Sequence, residues 1–237
     1  MKLESIFFHV GEVSFPNFSG IRILHMPIIF GDKDSIPKEL YGYCPMLDYA
    51  ASMFSKHAGE VVYLTIDEKK LHAGQTHRRP GLHVDGWHKV TTYSFSSYGG
   101  GSWGGGGGSW GGSSSKEIND EGTGLLTVAN KIGCRAWMKN YDGEPEAEGD
   151  CEHMRNLFPE DKGVLLQPNQ MYWLNPLCVH ESIPVTEDME RQFVRISLPS
   201  KADWYEGCTP NPLGVQPTGK VQPRRTRFMG FMDHDPA

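Results

Sequence analysis

The sequence predicts a mainly β protein, a sandwich or barrel of the jelly-roll kind with one or two flanking helices. Three observations lead there. Short segments rich in Val, Ile, Tyr, Phe and Trp recur along the chain, most of them bounded by Gly, Pro or Asn. One stretch alone has clear helical spacing. The 28 glycines and 16 prolines are too many for a helical bundle.

The strand expectations, in chain order, are Ile21–Met26, Val61–Ile66, Lys89–Ser96, Leu125–Ala129, Arg135–Lys139, Val164–Leu166, Met171–Leu174 and Phe193–Leu198. "GVLLQPNQMYWL" reads as strand, tight turn, strand, with Pro168 and Asn169 at the bend. The helix is expected in "PMLDYAASMFSKHAG", where Met46, Leu47, Ala50, Met53 and Phe54 share a face and Gly59 can end it. A second, short helix is expected around Cys151–Leu157.

At 237 residues the chain can form one large domain, and residues 1–237 are read as such. Within it, residues 99–112 duplicate the heptad GGGSWGG, a glycine density that gives a loop too much backbone entropy to join a core strand. That loop lacks the lysine and following helix of a phosphate-binding P-loop. Its Trp103 and Trp110 are either a surface insertion or a lid closing over a substrate. Residues 208–237 are proline-rich and expected to wrap the surface as an extended arm.

Apolar residues at 38% and charged residues at 22% describe an ordinary globular chain. A net charge of −6 provides no overall basic field for nucleic acid, although Pro223–Arg227 is a small basic cluster. No run reaches the roughly 18 apolar residues a membrane helix needs. Five scattered cysteines, no CxxC pair and no secretion signal predict reduced thiols in the cytoplasm, which makes a cysteine-based zinc site unexpected.

The chemistry concentrates in "HRRPGLHVDGWH", residues 77–88. In an extended segment residues i and i+2 point the same way, so His83 and Asp85 can present an imidazole and a carboxylate side by side. These are two of the three ligands of a 2-His-1-carboxylate triad, the arrangement used for non-haem Fe(II). The third should be a distant histidine. His180 follows Asp85 by 95 positions, with Ile183-Pro184-Val185 just after it and then "FVRISL". His77 and His88 fall outside the register of His83 and are expected behind the ligands or at the surface.

H-x-D, a long gap, His with Pro-Val shortly after, then R-x-S together resemble the Fe(II)/2-oxoglutarate-dependent dioxygenases over residues 77–199. The resemblance implies a double-stranded β-helix, iron held by His83, Asp85 and His180, and an arginine gripping the far carboxylate of 2-oxoglutarate. Arg195, with Ser197 two positions on, has the R-x-S context but lies 15 positions after His180; Arg191, 11 positions after, has the better distance. Both stay open. The implied reaction consumes 2-oxoglutarate and dioxygen to oxidise a C–H bond of a small-molecule or macromolecule-borne substrate. An aspartate at position 85 points to hydroxylation, since halogenating members carry a small residue there. Arg78, Trp103, Trp110 and Trp173 are candidates for substrate contact.

Two alternatives remain at this stage. A cupin-type isomerase or dioxygenase would share the fold, but would want H-x-H followed by glutamate. A non-enzymatic jelly-roll binding or structural protein would make the H-x-D accidental.

Overall fold

A computed structural model describes residues 2–85, 124–146, 149–199, 204–219 and 221–222. The strands are β1 (Lys2–Ser5), β2 (Phe7–Glu12), β3 (Arg22–Ile29), β4 (Val61–Leu71), β5 (Leu125–Ala129), β6 (Cys134–Ala136), β7 (Lys139–Asp142), β8 (Val164–Leu165), β9 (Gln170–Leu174), β10 (His180–Ser182), β11 (Met189–Ser197), β12 (Trp204–Tyr205) and β13 (Val221–Gln222). One α-helix, α1 (Cys44–Met53), lies between β3 and β4. The chain is mainly β, as expected from composition and strand patterning.

Six strands form an antiparallel sheet in the order β2-β9-β5-β11-β4-β3. Alternation along each strand divides its residues between two faces. Val62, Leu64 and Ile66 of β4, Val194 and Ile196 of β11, and Leu126 and Val128 of β5 point to one side and pack with Met46, Leu47 and Ala50 of α1. The other side carries Thr65 and Asp67 of β4, Arg191, Phe193 and Arg195 of β11, and Thr127 of β5, aligned across the sheet by its register. Most of these polar groups are buried, so this face turns toward a polar interior rather than toward water.

A three-stranded sheet, β10-β6-β8, supplies the opposing wall, and the segment carrying His83 extends it by a bridge to β10. Consecutive segments pass between the two sheets: β4 in the large one, the His83 segment in the small one, then β5, β6 and β8, β9, β10 and β11. The bend after β8 lies where the sequence puts it, with Asn169 in the left-handed region at φ 60°. There the chain leaves the small sheet for the large one.

Several boundaries differ from expectation. β4 runs on to Leu71, and β11 begins four residues early at Met189. The segment expected as one strand over Arg135–Lys139 is two: β6 pairs with β10 and β8, while β7 pairs with β1. The break falls at Trp137, whose ring turns into the core at 1% exposure. The helix buries Ala51 in place of the expected Met53, which is exposed at the final turn. Residues Glu152–Leu157 form a 3-10 helix. Pro27 is tolerated inside β3 because that strand is the sheet's edge. The five cysteines carry no disulfide. Among the described residues no helix is long and apolar enough to cross a membrane. The expected strand at Lys89–Ser96, the 99–112 loop and the arm beyond residue 222 lie outside the described residues.

Leu64 is fully buried between sheet and helix. Leu64→Ala is expected to cost about 2–5 kcal/mol in urea denaturation, the range for a large-to-small change in a packed core.

Candidate metal centre

His83 and His180 face each other as a hydrogen-bonded antiparallel pair. The His83 N–H donates to the His180 carbonyl at 3.0 Å, and the His180 N–H donates back to His83 at 3.0 Å. Directly opposed residues send their side chains to the same face. The two imidazoles accordingly lie with centroids 4.4 Å apart. Asp85, two residues beyond His83, joins them. One ligand atom from each of His83, Asp85 and His180 lies within 4.8 Å of the others, close enough to share one metal ion.

The donor chemistry fits a cation. His83 Nδ1 is 2.8 Å from the carbonyl of Gly81, and His180 Nδ1 is 2.9 Å from the carbonyl of Cys178. A carbonyl can only accept, so each Nδ1 carries the proton and each Nε2 keeps its lone pair for a metal. Burial, with the neighbouring His180 adding to it, lowers His83 to a pKa of about 3, so its ring is neutral at ordinary pH. The Asp85 side chain is 28% exposed. Burial of the remainder works to raise its carboxyl, but Arg195, His180 and His83 outweigh that and hold it below the usual carboxylate range. A neutral imidazole and an ionised carboxylate are the forms metal ligation needs.

The backbone behind the triad is braced. Glu181 points away from it and pairs with Arg135 at 2.8 Å and Arg155 at 2.7 Å. Arg155 also holds Glu152, whose carboxylate accepts from the Leu82 N–H at 2.9 Å. Gly149 closes against the His83–Asp85 segment from the other side. Its φ is 74°, and a Cβ there would lie 2.1 Å from the Val84 carbonyl oxygen. Gly149→Ala should therefore push Val84 aside and weaken divalent-metal affinity at least tenfold by calorimetry, with a lowered Tm.

Both arginines singled out from the sequence lie on the inner face of β11. Arg195 Nη1 is 3.2 Å from Asp85 Oδ2, and its buried Nε has no partner among the described residues. Arg191 is 2% exposed; its guanidinium bonds the Lys131 carbonyl and His77 Nδ1, the latter at 2.7 Å. Among the described residues it contacts no carboxylate. It lines a cleft with Thr127, Cys134, Gln170, Tyr172 and Phe193. Ser197 shares the face of Arg195, opposite Tyr63 and Leu125. His77 lies behind the triad rather than in it, between Arg191 and Asp67.

Arg78 is also on this face of the large sheet, its Nη1 3.1 Å from Asp67 Oδ2 and a quarter of its side chain exposed. Trp173 is not: it lies on the helix side of β9, stacked on Phe8 at 5.0 Å. Trp103, Trp110 and His88 lie outside the described residues.

Sequence reading missed His25. It sits in a β-bulge, where the β3–β4 register jumps between Ile23 and Met26, and its φ of 51° is left-handed. That conformation costs a non-glycine residue about 1–2 kcal/mol. It is held on every side. The His25 N–H donates to Thr65 Oγ1 at 3.1 Å, and its carbonyl accepts from Trp204 Nε1 at 2.9 Å. Next to it, Leu24 exchanges bonds with Thr209 through both N–H and carbonyl. The ring stacks on Tyr63 at 4.5 Å, and its buried Nδ1 has no partner among the described residues. A single histidine within "IRILHMPII" carries no sequence signal of a bulge.

Buried neutral histidines set a pH dependence. Burial lowers His77 to about 4, against an ordinary value of 6.5, with Asp67 only partly opposing it. The unfolded chain thus binds a proton there below about pH 6.5 that the folded one refuses until about 4. Stability is full above this window and declines as pH falls through it, by about 1.4 kcal/mol per pH unit for one proton. Urea unfolding of metal-free protein at pH 7 and pH 5 should show the loss, and His77→Asn should reduce its slope by one proton.

Comparison of the chain with protein families, with curated proteins and with solved structures found no match.

Proposed function

We propose that this chain is an Fe(II)/2-oxoglutarate-dependent oxygenase built on a double-stranded β-helix, and that it hydroxylates its substrate. The observation that carries this is the pairing of His83 with His180, which gathers two imidazoles and the Asp85 carboxylate around one point. Two histidines and one carboxylate on one side of an ion, with the other side open, is the donor set of non-haem Fe(II) oxygenases. No glutamate joins the group among the described residues, which counts against a cupin-type set. The passage of successive strands between two facing sheets supports the jelly-roll reading.

When bound, Fe(II) with 2-oxoglutarate would supply oxygen activation and C–H oxidation. The protein's part is to hold and orient. Gly81 and Cys178 fix the tautomers of the ligand histidines. Arg195 touches the triad through Asp85, and its Nε–H, unpartnered among the described residues, is available to take a carboxylate of the co-substrate as a fork. Arg191 is the second candidate, favoured by its cleft and by meeting no carboxylate among the described residues.

The test is anaerobic titration of the purified chain with Fe(II), then with 2-oxoglutarate, followed by succinate release in air. One iron per chain, a new absorption band on adding 2-oxoglutarate, and succinate formation are expected. Iron without a band, or no metal at all, would overturn the assignment. Fe(II) at 100 times its Kd should stabilise the fold by about 2.7 kcal/mol, and His83→Ala should abolish that gain. Arg195→Ala should spare iron and weaken 2-oxoglutarate by roughly 10- to 150-fold, the worth of a charge-assisted pair. If Arg191→Ala does so instead, Arg191 is the anchor.

A further inference from the structure

The inner face of the large sheet carries more anion-binding chemistry than one co-substrate uses. His25, Thr65 and Arg195 form a row across three adjacent strands: the His25 N–H bonds Thr65, and Thr65 is the register partner of Arg195. Two strand spacings are about 9.5 Å, so a molecule seated at the triad beside Arg195 can reach His25 with its far end. Asp67, the anchor of Arg78, is two residues from Thr65 on β4, about 7 Å along the strand. His25 and Arg78 therefore flank one corner of the interior next to the triad.

Three facts point to a ligand at this corner. Among the described residues the buried His25 Nδ1 has no partner, which is costly unless something else meets it. The backbone at His25 is strained, and Thr65, Trp204 and Thr209 hold it so, a combination that marks functional positions. Arg78 spends one nitrogen on Asp67, an acid that also faces Arg22, Lys69 and His77, and its partly exposed guanidinium has further donors to offer.

We propose that His25 and Arg78 form the recognition site for an oxyanion, a carboxylate or phosphate, borne by the molecule that is oxidised. The neutral His25 ring donates through Nδ1–H, and Arg78 supplies the positive charge and a second donor. Stacking on Tyr63 fixes the plane of the ring, so the hydrogen bond has one direction. As a substrate site this rests on the oxygenase assignment; as an anion site it does not.

The test follows the imidazole nitrogens of His25 by NMR in 15N-histidine-labelled full-length protein loaded with Zn(II). Inorganic phosphate and acetate are titrated separately, with and without saturating 2-oxoglutarate. At least one anion should shift the His25 Nδ1 resonance saturably, with 2-oxoglutarate still bound. The anion that succeeds names the group. Arg78→Gln should weaken that anion at least tenfold while leaving 2-oxoglutarate affinity unchanged.

His25→Gly separates recognition from folding. Glycine accepts the left-handed backbone, so the Tm should hold or rise while anion binding, followed by calorimetry, is lost. Binding that survives both substitutions overturns the proposal, as does an anion that competes with 2-oxoglutarate. If the wild type fails to bind 2-oxoglutarate yet His25 still responds to an anion through Arg78, the oxygenase assignment fails and the anion site stands.

Discussion

Two main-chain hydrogen bonds, exchanged between His83 and His180, are the constraint on which the site depends. Residues nearly a hundred positions apart are set directly opposite each other, and no side-chain attraction is needed to bring their rings together. The same hydrogen-bond pattern recurs at both rings. Each Nδ1 turns back to the carbonyl two residues before it, so each Nε2 turns outward. Tautomer, direction and spacing of the two imidazoles thus follow from strand geometry. Asp85 needs only the period of two along an extended chain to join them.

The large sheet makes this arrangement affordable by keeping its two faces chemically apart. Leu64, Ile66, Val194 and Ile196 bury apolar surface against α1 and supply the cohesion. Their neighbours Thr65, Asp67, Arg191 and Arg195 are then available for polar work on the other side. Buried guanidiniums and carboxylates are costly unless they meet partners. Asp67 meets four cationic or imidazole groups, Arg195 meets Asp85, and Arg191 rests on His77 and a carbonyl. These partnerships are unequal. Among the described residues Asp67 is crowded, while Arg191 has no acid in contact and Arg195 keeps an unpartnered N–H. An interior that is cationic in places and incompletely satisfied is suited to receiving anions, and the ordinary net charge of −6 conceals it.

The C-terminal arm contributes at a distance. Trp204 and Thr209 grip the bulge in β3 from outside, and the Asn211 amide donates to the carbonyls of Pro27 and Ser35. A left-handed histidine would relax in an isolated strand. Here the surrounding bonds over-determine its backbone and leave only its ring nitrogen unmatched. Stability supplied by the arm is thereby converted into the orientation of a side chain beside the triad.

The sequence by itself determined the mainly β class of the fold and singled out the three residues of the candidate triad. Val, Ile and aromatic runs between turn residues mark strands because a pleated, half-buried surface selects them. H-x-D is legible because side-chain direction repeats every two residues, and His180 is singled out by the Pro-Val and R-x-S that follow it. The short strand "HES" carried no such mark, since its extended form comes from pairing with β6 and His83 rather than from its own residues. Tertiary structure alone decided that Arg195 faces Asp85 while Arg191 faces His77, that Trp173 looks toward Phe8, and that His25 sits in a bulge of β3. Each of these depends on register between strands far apart in the chain, and a linear sequence specifies faces within a strand but not which strand lies opposite.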